Sequence, residues 1–248
     1  MEEITSVNND LVKETAKLQQ KKYRDETEKF LLEGRKCTEE AISANLDIEH
    51  IFLLKECFNN YKLPQEKIIL TTTAVLKKIS TTESTPEIVA VARKKQFAMP
   101  QNAKKVVLLE NIKDMGNLGT ILRTSVAFGA DAVILYGKEC ADIYNPKCVR
   151  SAVGNLWKIP VIYIENIEEL KSHFCDFERI ATLPLSKNHL KSFSAKEPLL
   201  VMFGSEADGL SKELIDFSTE NIKIEMRENV ESLNLSVSCA VVLYKLFL

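Results

Sequence analysis

The hydrophobic positions fall into two alternating patterns. Short apolar runs at Ile48–Leu54, Lys67–Leu70, Ile88–Ala92, Val106–Leu109, Ala132–Leu135, Val161–Ile164, Arg179–Leu183, Leu199–Phe203 and Asn221–Ile224 read as strands, several too continuously apolar to keep a wet face. Between them, helical spacing predicts helices over Thr38–Ala44, Thr73–Ile79, Leu118–Phe128, Pro146–Val153, Ile167–Phe174 and Ser211–Phe217, and a last apolar helix over Val237–Leu248. Residues 1–29 read as a polar helical extension, and Phe30–Leu32 is one more short apolar run before Gly34. Strands alternating with helices predict an α/β fold with a parallel sheet and helices on both faces. The polar stretch Gln96–Lys104, with Pro100, reads as a linker between a small α/β domain (30–95) and a larger one (105–248).

One unit of the larger domain stands out. The run Val106–Leu109 leads through Asp114-Met115-Gly116-Asn117 into a helix with Leu118, Ile121, Leu122, Ser125 and Val126 on one side, closed by Gly129. Asn117 sits where an N-cap belongs. Gly119, inside the helix, costs on the order of 1 kcal/mol relative to Ala and so needs a reason. Arg123, four residues on, can lean back over it beside the positive end of the helix dipole, an arrangement that suits an anion. Asn117 as a plain cap, with Arg123 as a solvated charge, accounts for the same spacing.

Two further strand ends carry unusual loops. Phe203-Gly204-Ser205-Glu206-Ala207-Asp208-Gly209-Leu210 brackets two carboxylates with two glycines. Gly204 allows a close approach of backbone to a ligand, and Asp208 or Ser211 serves as a helix cap. Asn229–Ser236 alternates polar and apolar residues before the last helix, with Asn234 or Ser236 as its cap. Ligands of such sheets sit outside the carboxyl ends of the strands. There is no G-x-G-x-x-G and no G-K-[ST], so dinucleotide and P-loop readings fail.

Composition narrows the class. The 248 residues are 45% hydrophobic and 27% charged, with net charge -2, which by itself does not suggest nucleic acid. Residues 1–105 carry 18 Lys/Arg against 16 Asp/Glu, and the remainder 15 against 19, so any basic patch is local. The segment Lys17–Arg24, basic with Tyr23, offers Lys21, Lys22 and Arg24 as an RNA-contacting surface, and Arg35 follows Gly34. The six cysteines form no metal-ligand spacing and the three His lie far apart, so no metal site is expected. No apolar run nears the roughly 20 residues that span a bilayer, and the acidic N-terminus resembles no targeting signal, which points to the cytoplasm.

Three motifs together resemble one family. N-x-G-x-x-x-R at Asn117–Arg123, G-S-E-A-D-G-L at Gly204–Leu210 and E-S-L-N-L-S-V-S at Glu231–Ser238 are similar, in order and spacing, to those of the SpoU/TrmH RNA ribose 2′-O-methyltransferases. The resemblance covers Lys105–Leu248. Phe30–Ala92, with L-E-G-R at Leu32–Arg35, looks like the ribosomal-protein-like substrate-binding domain of the branch acting on ribosomal RNA. It implies a C-terminal trefoil knot, a homodimer and S-adenosyl-L-methionine as methyl donor. It assigns catalysis to Asn117, Arg123, Glu206, Ser232 and Asn234, and the donor site to Thr182, Leu183, Gly204, Ile224, Met226 and Leu233. Met115 and Glu225 stand where the family often has Pro. A protein that kept the fold, binds RNA or assists ribosome assembly and lost catalysis is the alternative.

Overall fold

The computed structural model describes residues 2–227, 229–230 and 232–248. In chain order the elements of its first part are β1 (Glu2–Ile4), α1 (Asp10–Lys17), α2 (Lys21–Thr27), β2 (Lys29–Glu33), α3 (Arg35–Ser43), β3 (Ile48–Leu54), β4 (Ile68–Thr71), α4 (Thr73–Ile79) and β5 (Ile88–Arg93). There follow β6 (Lys105–Glu110), α5 (Met115–Ala127), β7 (Ala132–Tyr136), α6 (Pro146–Ala152), β8 (Val161–Ile164), α7 (Ile167–Phe174), β9 (Glu178–Thr182), β10 (Asn188–His189), β11 (Leu199–Phe203), α8 (Lys212–Phe217), β12 (Glu220–Lys223) and α9 (Leu235–Phe247). Compactness divides the chain into two units, Met1–Gln96 with Asp142–Trp157, and Phe97–Ala141 with Lys158–Leu248. The segment carrying α6, which its sequence position assigns to the second domain, therefore packs with the first.

The first unit is a five-stranded sheet in the order β1-β4-β3-β5-β2, with β1, β4 and β3 parallel and β5 antiparallel to both β3 and β2. Phe52, Leu31, Val89 and Val91 of the strands pack with Val12, Val75, Leu76 and Ile79 of α1 and α4. The polar extension is not all helix. Glu2–Ile4 adds an edge strand, burying Ile4 and holding its carbonyl with the Thr71 hydroxyl at 2.6 Å. Arg24 also departs from the expected RNA surface. It is buried, and its guanidinium donates to Asp142 Oδ2 (2.7 and 3.0 Å) and to the carbonyls of Leu18 and Gln19 (2.9 Å each). All its donors serve the joint between α1, α2 and the segment before α6. Removing one partner of such a buried pair typically costs on the order of 3–5 kcal/mol.

The second unit is an all-parallel, seven-stranded sheet in the order β10-β12-β9-β11-β6-β7-β8. Every residue of β7 and β11 is buried, as a sheet covered on both faces requires. The sheet core joins Val106, Leu108, Ile134, Leu200 and Met202 to Leu170 and Phe174 of α7 and Leu214 of α8. Helix α9 packs against α5 and buries Cys239, Val242, Leu243 and Phe247. The Lys105 ammonium holds the last turn by donating to the Phe247 carbonyl at 2.6 Å.

Candidate active site

The order of strands reverses at β6. The chain goes to β7 and β8 on one side, then returns to lay β9 and β11 on the other. The carboxyl ends of strands flanking such a reversal open a crevice. Here the loops after β6, β9, β11 and β12 meet.

A cavity of about 790 Å³ lies there, within the roughly 300–1,000 Å³ of small-molecule sites. Thr182, Leu183, Gly204, Ile224, Met226 and Leu233 all line it, together with Glu206, Ser232 and Asn234. The Thr182 hydroxyl is already used, donating to the Met202 carbonyl at 2.8 Å and tying β9 to β11. Gly204 is required by the chain itself. A Cβ there would lie 1.9 Å from the carbonyl carbon of Gly209 and 2.1 Å from the nitrogen of Leu210. Ser205 and Gly209 exchange both backbone hydrogen bonds (3.1 Å each), and Gly209 takes φ +70°, so the loop folds back on its own start. The close approach that Gly204 permits is thus first to the loop's own backbone. Behind the loop, buried Glu110 accepts from Ser211 N at 2.7 Å, and Ser211 caps α8.

A smaller cavity of about 550 Å³ adjoins it, lined by Lys113, Asp114, Asn117, Ser205, Glu206, Ala207 and Asn234. Residues 205–207 and Asn234 belong to both linings, so the two cavities share a wall. A chain of side-chain amides runs through it. Asn234 Nδ2 donates to Asn117 Oδ1 at 3.1 Å, and Asn117 Nδ2 donates to Glu206 Oε1 at 2.9 Å. Asn234 Oδ1 caps α9, accepting from Ser236 N (2.9 Å) and Val237 N (3.4 Å), which decides the cap between Asn234 and Ser236. Asn117 is not the cap of α5. Asp114 is, accepting from Asn117 N at 2.7 Å, so the helix starts one turn earlier and the Asn117 side chain is left for the site.

Other expected residues lie apart. Arg123 is exposed on α5, lines neither cavity and pairs with no described residue. Ser232 makes no hydrogen bond among the described residues, and Glu231, first of the third motif, lies outside them. In the first unit, Lys21 and Lys22 are exposed on α2 in pairs with Asp25 (2.5 Å) and Glu26 (3.8 Å). Arg35 pairs with Glu39 at 2.8 Å and lies 4.9 Å over the Tyr61 ring. Among the described residues no His/Cys/Asp/Glu group could hold a metal ion. Sequence reasoning missed Lys113 and Asp114 in the smaller cavity and Phe203 and Val242 in the larger. Only Asp114 left a signal, a capping side chain three residues before Asn117.

Comparison with known proteins places the chain in a family. Residues 104–244 match the SpoU rRNA Methylase family, and residues 9–90 match the MRM3-like substrate binding domain. The chain is 30% identical to the Bacillus subtilis 23S rRNA (guanosine(2553)-2′-O)-methyltransferase RlmP, covering 99% of each protein. It is 31% identical to an uncharacterized tRNA/rRNA methyltransferase of Synechocystis, over 98% of this chain and 92% of that one. The AdoMet-bound rRNA methyltransferase of Sinorhizobium meliloti superposes with a TM-score of 0.85 at 25% identity, covering 98% of this chain and 96% of that one. With a family match over more than half its length, the chain belongs to the SpoU rRNA methylase family.

Proposed function

We propose that the protein transfers a methyl group from S-adenosylmethionine to the 2′-hydroxyl of a ribose in large-subunit ribosomal RNA. The observation that carries this reading is the wall shared by the two cavities: a donor in the larger would face an acceptor in the smaller across Glu206 and Asn234. The larger cavity suits the donor chemically. Leu183, Ile224, Met226 and Leu233 would give apolar surface to a flat base, and Glu206 and Asp208 add carboxylates to the same lining, which would suit a sulfonium. The names of relatives such as RlmP support ribosomal RNA as substrate.

When bound, the donor supplies a methyl group already activated by its sulfonium. The chain's own residues must align the ribose and manage the hydroxyl proton. The Asn234–Asn117–Glu206 chain fixes three loops in one register and leaves Glu206 Oε2 without a partner among the described residues, on a residue that lines both cavities. Arg123, through its planar fork of donors, stabilises the developing alkoxide and the adjacent phosphate.

Arg123 stands apart from the cavities, so we infer that it serves the site of a second copy. The outer face of α9 supports a homodimer. Val237 (46% exposed), Val241 (40%), Tyr244 (65%) and Leu248 (79%) form one apolar stripe, and Tyr244 meets Phe128 at the end of α5, the helix that carries Arg123. Light scattering at micromolar concentration is expected to give twice the 28.0 kDa chain mass, and a single-chain mass would contradict the dimer. We infer the trefoil knot as well, supported by β11 inserting between β9 and β6 and by α9 returning onto α5. The cytoplasm is the proposed location; among the described residues no helix is long and apolar enough to cross a membrane.

Tritium transfer from labelled S-adenosylmethionine to ribosomal RNA tests the function. Binding of donor and RNA without transfer would favour a binding protein instead. Arg123→Lys keeps the charge and loses the planar fork, and is expected to lower kcat by about 100-fold. A near-normal rate would remove any role for guanidinium geometry.

A further inference from the structure

We propose that Lys113 is an RNA-phosphate contact of the smaller cavity, held in waiting by Glu139 until RNA displaces that carboxylate. The inference rests on the reading of this cavity as the acceptor side. Among its described lining residues Lys113 is the one cation, and the remainder are Asp114, Glu206, two asparagines, a serine and an alanine. Asp114 is committed to capping α5, and Glu206 accepts from Asn117. A ribose entering with its phosphates would meet a negative wall unless a cation stood at the rim. Arg123 does not stand there in its own chain.

The rim is built to present Lys113. Its ammonium lies 2.6 Å from Glu139 Oε2, and that contact raises the lysine pKa and lowers that of the carboxylate. Glu139 is itself anchored. Its backbone nitrogen donates to Asn111 Oδ1 at 3.3 Å, and the Asn111 side chain packs against Gly137, where a Cβ would approach within 2.4 Å. Loops after β6 and β7 are thereby locked side by side, with the pair at their tips. Both side chains are exposed, so the pair is weak and exchangeable. A lysine stem can swing from Glu139 to a phosphodiester without moving either loop, and the ammonium exchanges one anionic oxygen for another.

Counterion release gives the test a readout that a merely structural role would not move. Binding of unmodified 23S ribosomal RNA transcript to the full-length protein is measured across salt concentrations, with S-adenosylmethionine affinity measured alongside by calorimetry. Lys113→Ala is expected to weaken RNA binding about 10-fold at low salt and to flatten the log–log salt slope by about 0.7–0.9, the loss of one phosphate contact. Donor affinity should stay at the wild-type value. Lys113→Arg should keep the slope, and Glu139→Gln should tighten RNA binding about twofold to threefold by freeing the lysine. An unchanged slope in Lys113→Ala, or an RNA affinity unmoved by Glu139→Gln, overturns the proposal. A wild-type protein that methylates no ribosomal RNA instead removes the reading on which it rests.

Discussion

Asn117→Ala is expected to lower kcat for methyl transfer by about 100-fold or more while leaving donor affinity within a few-fold of wild type. Asn117 is the middle link of the amide chain, donating to Glu206 and accepting from Asn234, and it lines the smaller cavity but not the larger one. Without it Glu206 loses the bond that orients its carboxylate, and the loops after β6, β11 and β12 lose their common tie. The side chain is partly exposed and each bond is worth a net of about 0.5–1.5 kcal/mol, so the fold should lose little. Loss of rate without loss of fold is therefore the signature. Asn234→Ala breaks the same chain, and the double variant should cost little more than either single one, because residues acting as a unit are not additive. Single-turnover kinetics with donor titration measures both. A wild-type kcat with only a raised KM for the donor would show that the chain shapes the cofactor site instead.

Gly204→Ala should abolish donor binding and destabilise the fold by on the order of 1–3 kcal/mol. What a Cβ meets at this position is backbone, at 1.9–2.3 Å, and backbone cannot rotate away. Relief requires opening the paired hydrogen bonds of Ser205 and Gly209, which moves Glu206 and Asp208 with them. Gly209→Ala is the control. There φ is +70° but nothing lies within 4 Å of the new Cβ, so the cost is conformational, about 1 kcal/mol, and donor binding should survive in weakened form. Thermal denaturation and calorimetric titration separate the two. Gly204→Ala binding the donor like wild type would mean that the loop opens without consequence.

The two glycines show where sequence reasoning reached and where it stopped. That Gly204 and Gly209 bracket a tight turn was legible from their place after a strand. That Gly204 answers to the chain's own backbone was not, because self-contact depends on how the loop closes. The central strands of the second unit were legible because they are continuous apolar runs, and Leu199–Phe203, Val161–Ile164 and Ile167–Phe174 have the expected bounds, whereas β10, the exposed pair Asn188–His189, carries no apolar signal and was missed. Glu2–Ile4 was not, since a three-residue edge strand with two glutamates shows no pattern and is set by its pairing with β4. Arg24 looked like surface within a basic octet. Its burial depends on Asp142, 118 residues away, a partner that no local window contains. Asn117 was singled out as a cap, and Asp114 took that role, which frees its amide for Glu206. Lys113 carried no motif and became visible only when the loops after β6 and β7 were side by side.

The central claim is methyl transfer to a ribose hydroxyl, and the position of the methyl group tests it most directly. Unmodified 23S ribosomal RNA transcript is incubated with the protein and labelled S-adenosylmethionine, then hydrolysed in alkali, to which a 2′-O-methylated linkage is resistant because its hydroxyl is blocked. The account predicts label in a single alkali-stable dinucleotide, formed at least about 100-fold more slowly when Asn117→Ala replaces the wild type. Label released entirely as mononucleotides, which places the methyl group on a base, would contradict it.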